Sequence, residues 1–123
     1  EKAPDIYFPG FIDSEDMQVV IGSAAAFVFP SFYEGFGIPP LEAMQCGVPV
    51  VCSNSSSLPE VCGEAALYFA PDNIESMAYE MEKVIRDEDL RNSLIQAGFE
   101  QCEKFKWEDM VEKMYEEYQK LLV

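Results

Sequence analysis

Two carboxylates sit where they could do chemistry. Glu34 and Glu42 bracket the segment Glu34-Gly35-Phe36-Gly37-Ile38-Pro39-Pro40-Leu41-Glu42, which follows the apolar run Ala26-Phe27-Val28-Phe29. An ionised carboxylate only accepts hydrogen bonds, so a pair of them suits the hydroxyls of a sugar or a ribose. The two glycines let backbone approach a ligand closely, and Pro39-Pro40 supply the fixed φ of a first helical turn. The free N–H groups of a helix start favour an anion. Spacing alone proves nothing. Among 16 glutamates, Glu80/Glu88, Glu100/Glu108 and Glu108/Glu116 repeat the same interval as ordinary solvated faces. Taken singly, Glu42 also reads as a carboxylate stabilising a helix N-terminus, and Glu34 as a loop charge.

These residues need elements to hold them. Ile6–Phe8 reads as a short strand, with Pro9-Gly10 as its turn, and Asp13 or Ser14 caps a helix carrying Met17, Val20 and Ile21. Ala26–Phe29, stopped by Pro30, reads as a strand buried on both faces. A helix over Pro40–Cys46 ends at Gly47, and Val48–Cys52 is a second buried strand. A polar loop, Ser53 to Ser57, leads to a turn or short helix at Pro59–Cys62 and a strand at Ala66–Phe69. Strands alternating with helices imply an α/β fold with a parallel sheet and right-handed crossovers. Three amphipathic helices follow, the first behind an Asp72-x-x-Glu75 capping pattern, and their Met and Tyr residues are expected in the core.

Composition narrows the functions. The 123 residues carry a net charge of −15, which repels nucleic acid and anionic membranes alike. Without histidine, there is no His-based nucleophile activation, metal ligation or proton shuttle. No Walker-type phosphate loop occurs. Cys46, Cys52, Cys62 and Cys102 form no Cys-x-x-Cys pair and read as free thiols of a reducing cytoplasm. The run from Val19 to Phe32 is too short and interrupted to span a bilayer, and no signal peptide is visible. A start at Glu1 rather than Met hints at a fragment.

The stretch from Phe29 to Met44, continued by Cys46-Gly47-Val48-Pro49-Val50-Val51, resembles the nucleotide-sugar motif of the retaining GT-B glycosyltransferases, and most closely their family 4 of group 1 type. Ser56-Ser57-Leu58-Pro59-Glu60-Val61 and Gly63-Glu64-Ala65-Ala66 stand where that family has a Gly/Ser-rich loop ending in Pro-Glu. The resemblance implies a Rossmann-like parallel sheet with flanking helices, namely residues 1–123 as part of a C-terminal, donor-binding domain whose N-terminal acceptor domain is absent. It implies that Glu34 is the catalytic-site carboxylate holding donor-sugar hydroxyls. Backbone N–H groups of Phe36, Gly37 and Ile38, with Gly35 between them and Glu34, would run along the sugar and phosphates. Leu41 would line the ribose and diphosphate side, and Glu42 would take the ribose hydroxyls. The partners implied are a nucleotide-diphosphate sugar and a glycan or lipid-linked acceptor, with no metal or other cofactor and no nucleic acid.

The chain departs from the family pattern in length, in lacking the upstream Arg and Lys that contact donor phosphates, and in having Lys106 before Trp107 where a Ser or Thr cap is usual. Residues 1–70 hold one basic side chain, Lys2, against nine acidic ones, so cations for a diphosphate must come from elsewhere. The family's sheet order, 3-2-1-4-5-6, implies that only strands 3 to 6 are present. Ile6–Phe8 should then pack beside Ala26–Phe29, or the chain should dimerise through that exposed edge. Phe32, Tyr33 and Phe36 read as core or as sugar-pocket residues. Ser55 to Ser57 read as donor ligands or a simple turn, and Glu60 as a loop brace accepting backbone N–H bonds. The Ser-Ser-Leu-Pro-Glu-Val variant leans towards mannosyl transfer from GDP-mannose, in surface-glycan synthesis at the cytoplasmic membrane face. Membrane contact would fall to the missing domain, and the isolated fragment would be inactive. The alternative is a non-catalytic acidic α/β binding or scaffolding module.

Overall fold

The computed structural model describes Ala3 and residues 5–122; Lys2 lies outside them. Its elements run α1 (Ser14–Gly22), β1 (Phe27–Phe29), α2 (Ile38–Gln45), β2 (Val50–Ser53), α3 (Leu58–Cys62), a 3₁₀ turn (Gly63–Ala65), β3 (Ala66–Phe69), α4 (Ile74–Arg86), α5 (Glu88–Cys102) and α6 (Trp107–Leu121). The sheet is parallel, in the order β1-β2-β3, with Phe27 opposite Val50 and Val50 opposite Ala66. An α/β unit with a helix in each crossover is therefore what forms.

Strand alternation divides the core. On one face Val50, Cys52 and Ala66 pack with Leu41, Met44 and Leu58, and Phe27 and Phe29 stack beside them at 5.9 Å. On the other, Val51 and Phe69 meet Val84 of α4 and Leu94 of α5. Helix α5 serves both faces, since its Ala97 and Cys102 reach the first cluster. It passes close to α2 at Gly98, where a Cβ would lie 3.1 Å from the Met44 side chain. Central β2 is buried at all four positions because it has a strand on each side and helices above and below.

Several sequence expectations are corrected. Residues 6–8 form no strand and are exposed, with Tyr7 at 86 %. Three β-formers cannot make a strand without a partner, and none is supplied here. The outer edge of β1 is consequently unpaired among the described residues, and β1 is half-buried rather than buried on both faces. Three strands are described, not four. Asp13 makes no side-chain cap to α1. The α4 cap is Asn73, whose side chain accepts from the Ser76 N–H at 2.9 Å, rather than Asp72. Helix α6 buries nothing: Met110, Met114, Tyr115 and Tyr118 are exposed, contrary to their expected place in the core. Phe32 and Tyr33 are exposed as well, which excludes them from the core.

All four cysteines are free thiols. A side-chain hydrogen bond to Cys62, together with burial, pushes the Cys52 thiol far above its ordinary range. Lys106 makes no side-chain cap to α6 and pairs instead with Glu103, which raises its pKa. No helix among the described residues is long and apolar enough to cross a membrane.

Candidate functional site

Parallel strands all end at one edge of the sheet, where open α/β folds bind ligands. Residues 30–37, leaving β1, and residues 54–57, leaving β2, meet at that edge. The loop from β1 enters α2 through Gly37, at φ +115°, where a Cβ would lie 2.9 Å from Cδ2 of the fully buried Leu58. Only glycine fits both the backbone and the space. Gly35 differs: a Cβ there would meet no atom within 4 Å, and its φ is ordinary.

Pro39 and Pro40 occupy the first turn of α2. They preset its φ but remove two of the donors that a helix start normally offers. The N–H groups of Phe36, Gly37 and Ile38 have no acceptor among the described residues, and these remain to meet an anion. The free N–H donors therefore lie in the approach to α2 and at its first residue, ahead of the two prolines.

Glu34 is half-buried and held at both ends. Ser31 Oγ donates to its Oε1 at 2.7 Å, and the Ser31 carbonyl accepts from Ser53 Oγ at the end of β2. The Glu34 N–H donates to Ser56 Oγ at 2.8 Å, and Ser56 Oγ lies 3.0 Å from the Glu34 carbonyl. Ser57 Oγ is 3.0 Å from the same carbonyl and 2.6 Å from that of Phe36, and its single proton serves one at a time. The serine loop thus grips the Glu34 loop, a role for which residue types at 22-residue separation give no local signal.

Glu42 lies on the second turn of α2, exposed, with no ion-pair partner among the described residues. No Lys or Arg occurs between residues 5 and 70. Leu41 belongs to the core at 8 % exposure, leaving little side chain for a ligand, whereas Ile38 is half open. The Phe36 ring packs edge-on against Phe105 at 5.6 Å while staying exposed on its other side. Glu60 is exposed and accepts no hydrogen bond among the described residues, which corrects its assignment as a loop brace. The arrangement offers carboxylate acceptors at two points with N–H donors between them, and no activated nucleophile.

Residues 1–101 match the family described as glycosyl transferases group 1. The chain is 40 % identical over 116 residues to O-antigen chain mannosyltransferase B of Escherichia coli, covering 94 % of this chain and 30 % of that protein. It is 38 % identical over 117 residues to the serotype-specific mannosyltransferase WbdA of Escherichia coli, covering 95 % of this chain and 14 % of that one. Among solved structures, sucrose-phosphate synthase from Thermosynechococcus elongatus superposes with a TM-score of 0.85 at 31 % identity, over 94 % of this chain and 30 % of its own. The chain spans less than a third of each of these relatives. A family match that runs from the first residue through α5, on a fold shared at this identity, means that the chain belongs to the group 1 glycosyl transferases.

Proposed function

We propose that residues 1–123 form part of the C-terminal, donor-binding domain of a longer GT-B enzyme that transfers a sugar from a nucleotide-diphosphate donor to an acceptor hydroxyl with retention. The observation that carries this is the junction at the sheet's carboxyl edge. There Glu34 and Glu42 bracket the free N–H groups of Phe36, Gly37 and Ile38. Glu34 takes donor-sugar hydroxyls, and Glu42 takes the ribose hydroxyls. The N–H groups lie along the sugar and diphosphate. In the reaction the bond from the anomeric carbon to the diphosphate oxygen breaks, and the diphosphate leaves with the electron pair. The acceptor oxygen bonds the same face of that carbon and loses its proton. Positive charge develops on the sugar ring meanwhile, next to the Glu34 carboxylate.

Two prolines in the first turn and the lack of basic residues from 5 to 70 mean that this chain alone serves a diphosphate poorly. The balancing cations, the acceptor site and the proton acceptor belong to sequence outside residues 1–123, with no metal required. The names of the Escherichia coli relatives support mannose as the sugar, and we assign GDP-mannose as donor and a surface glycan as product. The enzyme works at the cytoplasmic face of the membrane, and a chain of charge −15 leaves any membrane contact to the rest of the protein.

Ligand-observed NMR on the full-length protein, with UDP, GDP, ADP and their sugars, tests this directly. Glu42→Ala removes a charge-assisted bond to the ribose and should weaken the bound nucleotide by about 1.5–3 kcal/mol, roughly tenfold or more. Absence of binding to a folded full-length protein would replace the enzyme by a non-catalytic acidic α/β binding or scaffolding module.

The open edge of β1 is covered in the longer protein, and residues 1–123 produced alone pair through it instead. Sedimentation equilibrium should show a dimer, and a strictly monomeric chain would refute the pairing.

A further inference from the structure

Ser56 is the only non-glycine residue among those described with positive φ, at 48°. A side chain makes left-handed backbone costly, and such residues persist where their surroundings over-determine them. Here the surroundings are the backbone of one residue 22 positions away. Ser56 Oγ accepts from the Glu34 N–H at 2.8 Å and lies 3.0 Å from the Glu34 carbonyl, to which it donates. A single hydroxyl therefore satisfies both backbone groups of the residue that carries the carboxylate. The carboxylate itself is fixed by Ser31 Oγ at 2.7 Å. Backbone and side chain of Glu34 are thus held separately: Ser56 reaches both backbone groups, Ser57 reaches only the carbonyl, which it shares with that of Phe36, and Ser31 holds the carboxylate.

We propose that Ser56 is a positioning residue, brought into reach by its left-handed backbone, that sets the aim of Glu34 and so the grip on the transferred sugar rather than on the nucleotide. This rests on the donor-site reading above. Ser56→Gly is the informative variant, because glycine adopts φ 48° freely and only the hydroxyl is lost. If Ser56 merely closed a turn, the variant would be as stable as the parent and bind donors equally.

In the full-length protein, Ser56→Gly should raise solvent exchange at the Glu34 amide by roughly three- to tenfold, the worth of a net hydrogen bond. Nucleoside diphosphate affinity should hold within about twofold, while the sugar-bearing nucleotide binds roughly three- to tenfold more weakly. Ser56→Asn tolerates left-handed backbone and can both donate and accept, so it should restore protection at Glu34. Unchanged Glu34 exchange in Ser56→Gly would overturn the clasp, and an equal loss for both ligands would overturn its sugar-specific role. A parent protein that binds no nucleotide sugar would defeat the donor-site reading, while Glu34 exchange would still decide the clasp.

Discussion

Gly37→Ala is expected to destabilise the protein by about 2–5 kcal/mol, from backbone strain together with overpacking. The backbone contribution comes from φ +115°, which an L side chain rarely adopts. The packing contribution comes from Leu58 Cδ2 at 2.9 Å, on a fully buried side chain at the start of α3. Leu58 cannot swing away without disturbing Met44 and Val61 in the same cluster. Domains are stable by only about 5–15 kcal/mol, so a substantial fraction is at stake. Gly35→Ala, two residues earlier, meets neither obstacle and should stay within about 0.5 kcal/mol. Denaturation midpoints of the two variants, measured side by side, separate the requirement for glycine from a general sensitivity of the loop. Equal stability in both would mean that the entry into α2 is far more plastic than its packing implies. Because Gly37 also aims the N–H groups of Phe36 and Ile38, a folded Gly37→Ala protein should lose nucleotide affinity too.

What could be read from the sequence, and what could not, follows a physical division. The buried character of β2 was legible because apolar β-formers between turn signals leave few alternatives, whereas Ala66–Phe69, a weak signal by itself, followed from the alternation of strands and helices. The spacing of Met77, Val84 and Leu94 marked the helices that cover the second face. Residues 6–8 failed because strand propensity says nothing of whether a partner exists. Helix α6 failed similarly: an amphipathic pattern marks a face fit for burial without supplying what buries it. Asp72 and Asn73 are both competent caps, and backbone geometry chose the second. At the candidate site, Glu34, Gly37 and Glu42 were visible through a contiguous motif. The Ser31, Ser56 and Ser57 bonds were not, since two of those hydroxyls reach across 21 to 23 residues and serine is equally at home in any turn. Leu41 shows a different limit, because adjacency in a motif does not reveal that its side chain is buried in the core.

Glu34→Gln should have the largest effect on turnover, lowering kcat of the full-length enzyme by about 10² to 10³, the scale on which a preorganised electrostatic group acts. The substitution keeps size and leaves an amide oxygen to accept from Ser31 Oγ, so the 2.7 Å contact survives. The backbone bonds to Ser56 and Ser57 do not involve the side chain at all. On the proposed mechanism, what disappears is the negative charge beside a sugar on which positive charge grows as the diphosphate departs. Since that positive charge is absent from the ground state, kcat should fall further than KM rises: weaker bonds to the sugar hydroxyls should raise KM by roughly tenfold or less, and nucleoside diphosphate affinity should hold within about twofold. Glu34→Ala should cost more than Glu34→Gln, because it also removes the acceptor for Ser31 and the grip on the sugar hydroxyls. Initial-rate kinetics with the identified donor, beside diphosphate titrations of the same variants, distinguish these cases. A rise in KM at unchanged kcat in Glu34→Gln would confine Glu34 to ground-state binding of the sugar. A fall in diphosphate affinity matching the fall in rate would place Glu34 at the nucleotide instead, and the assignment of the two carboxylates to opposite ends of the donor would be wrong.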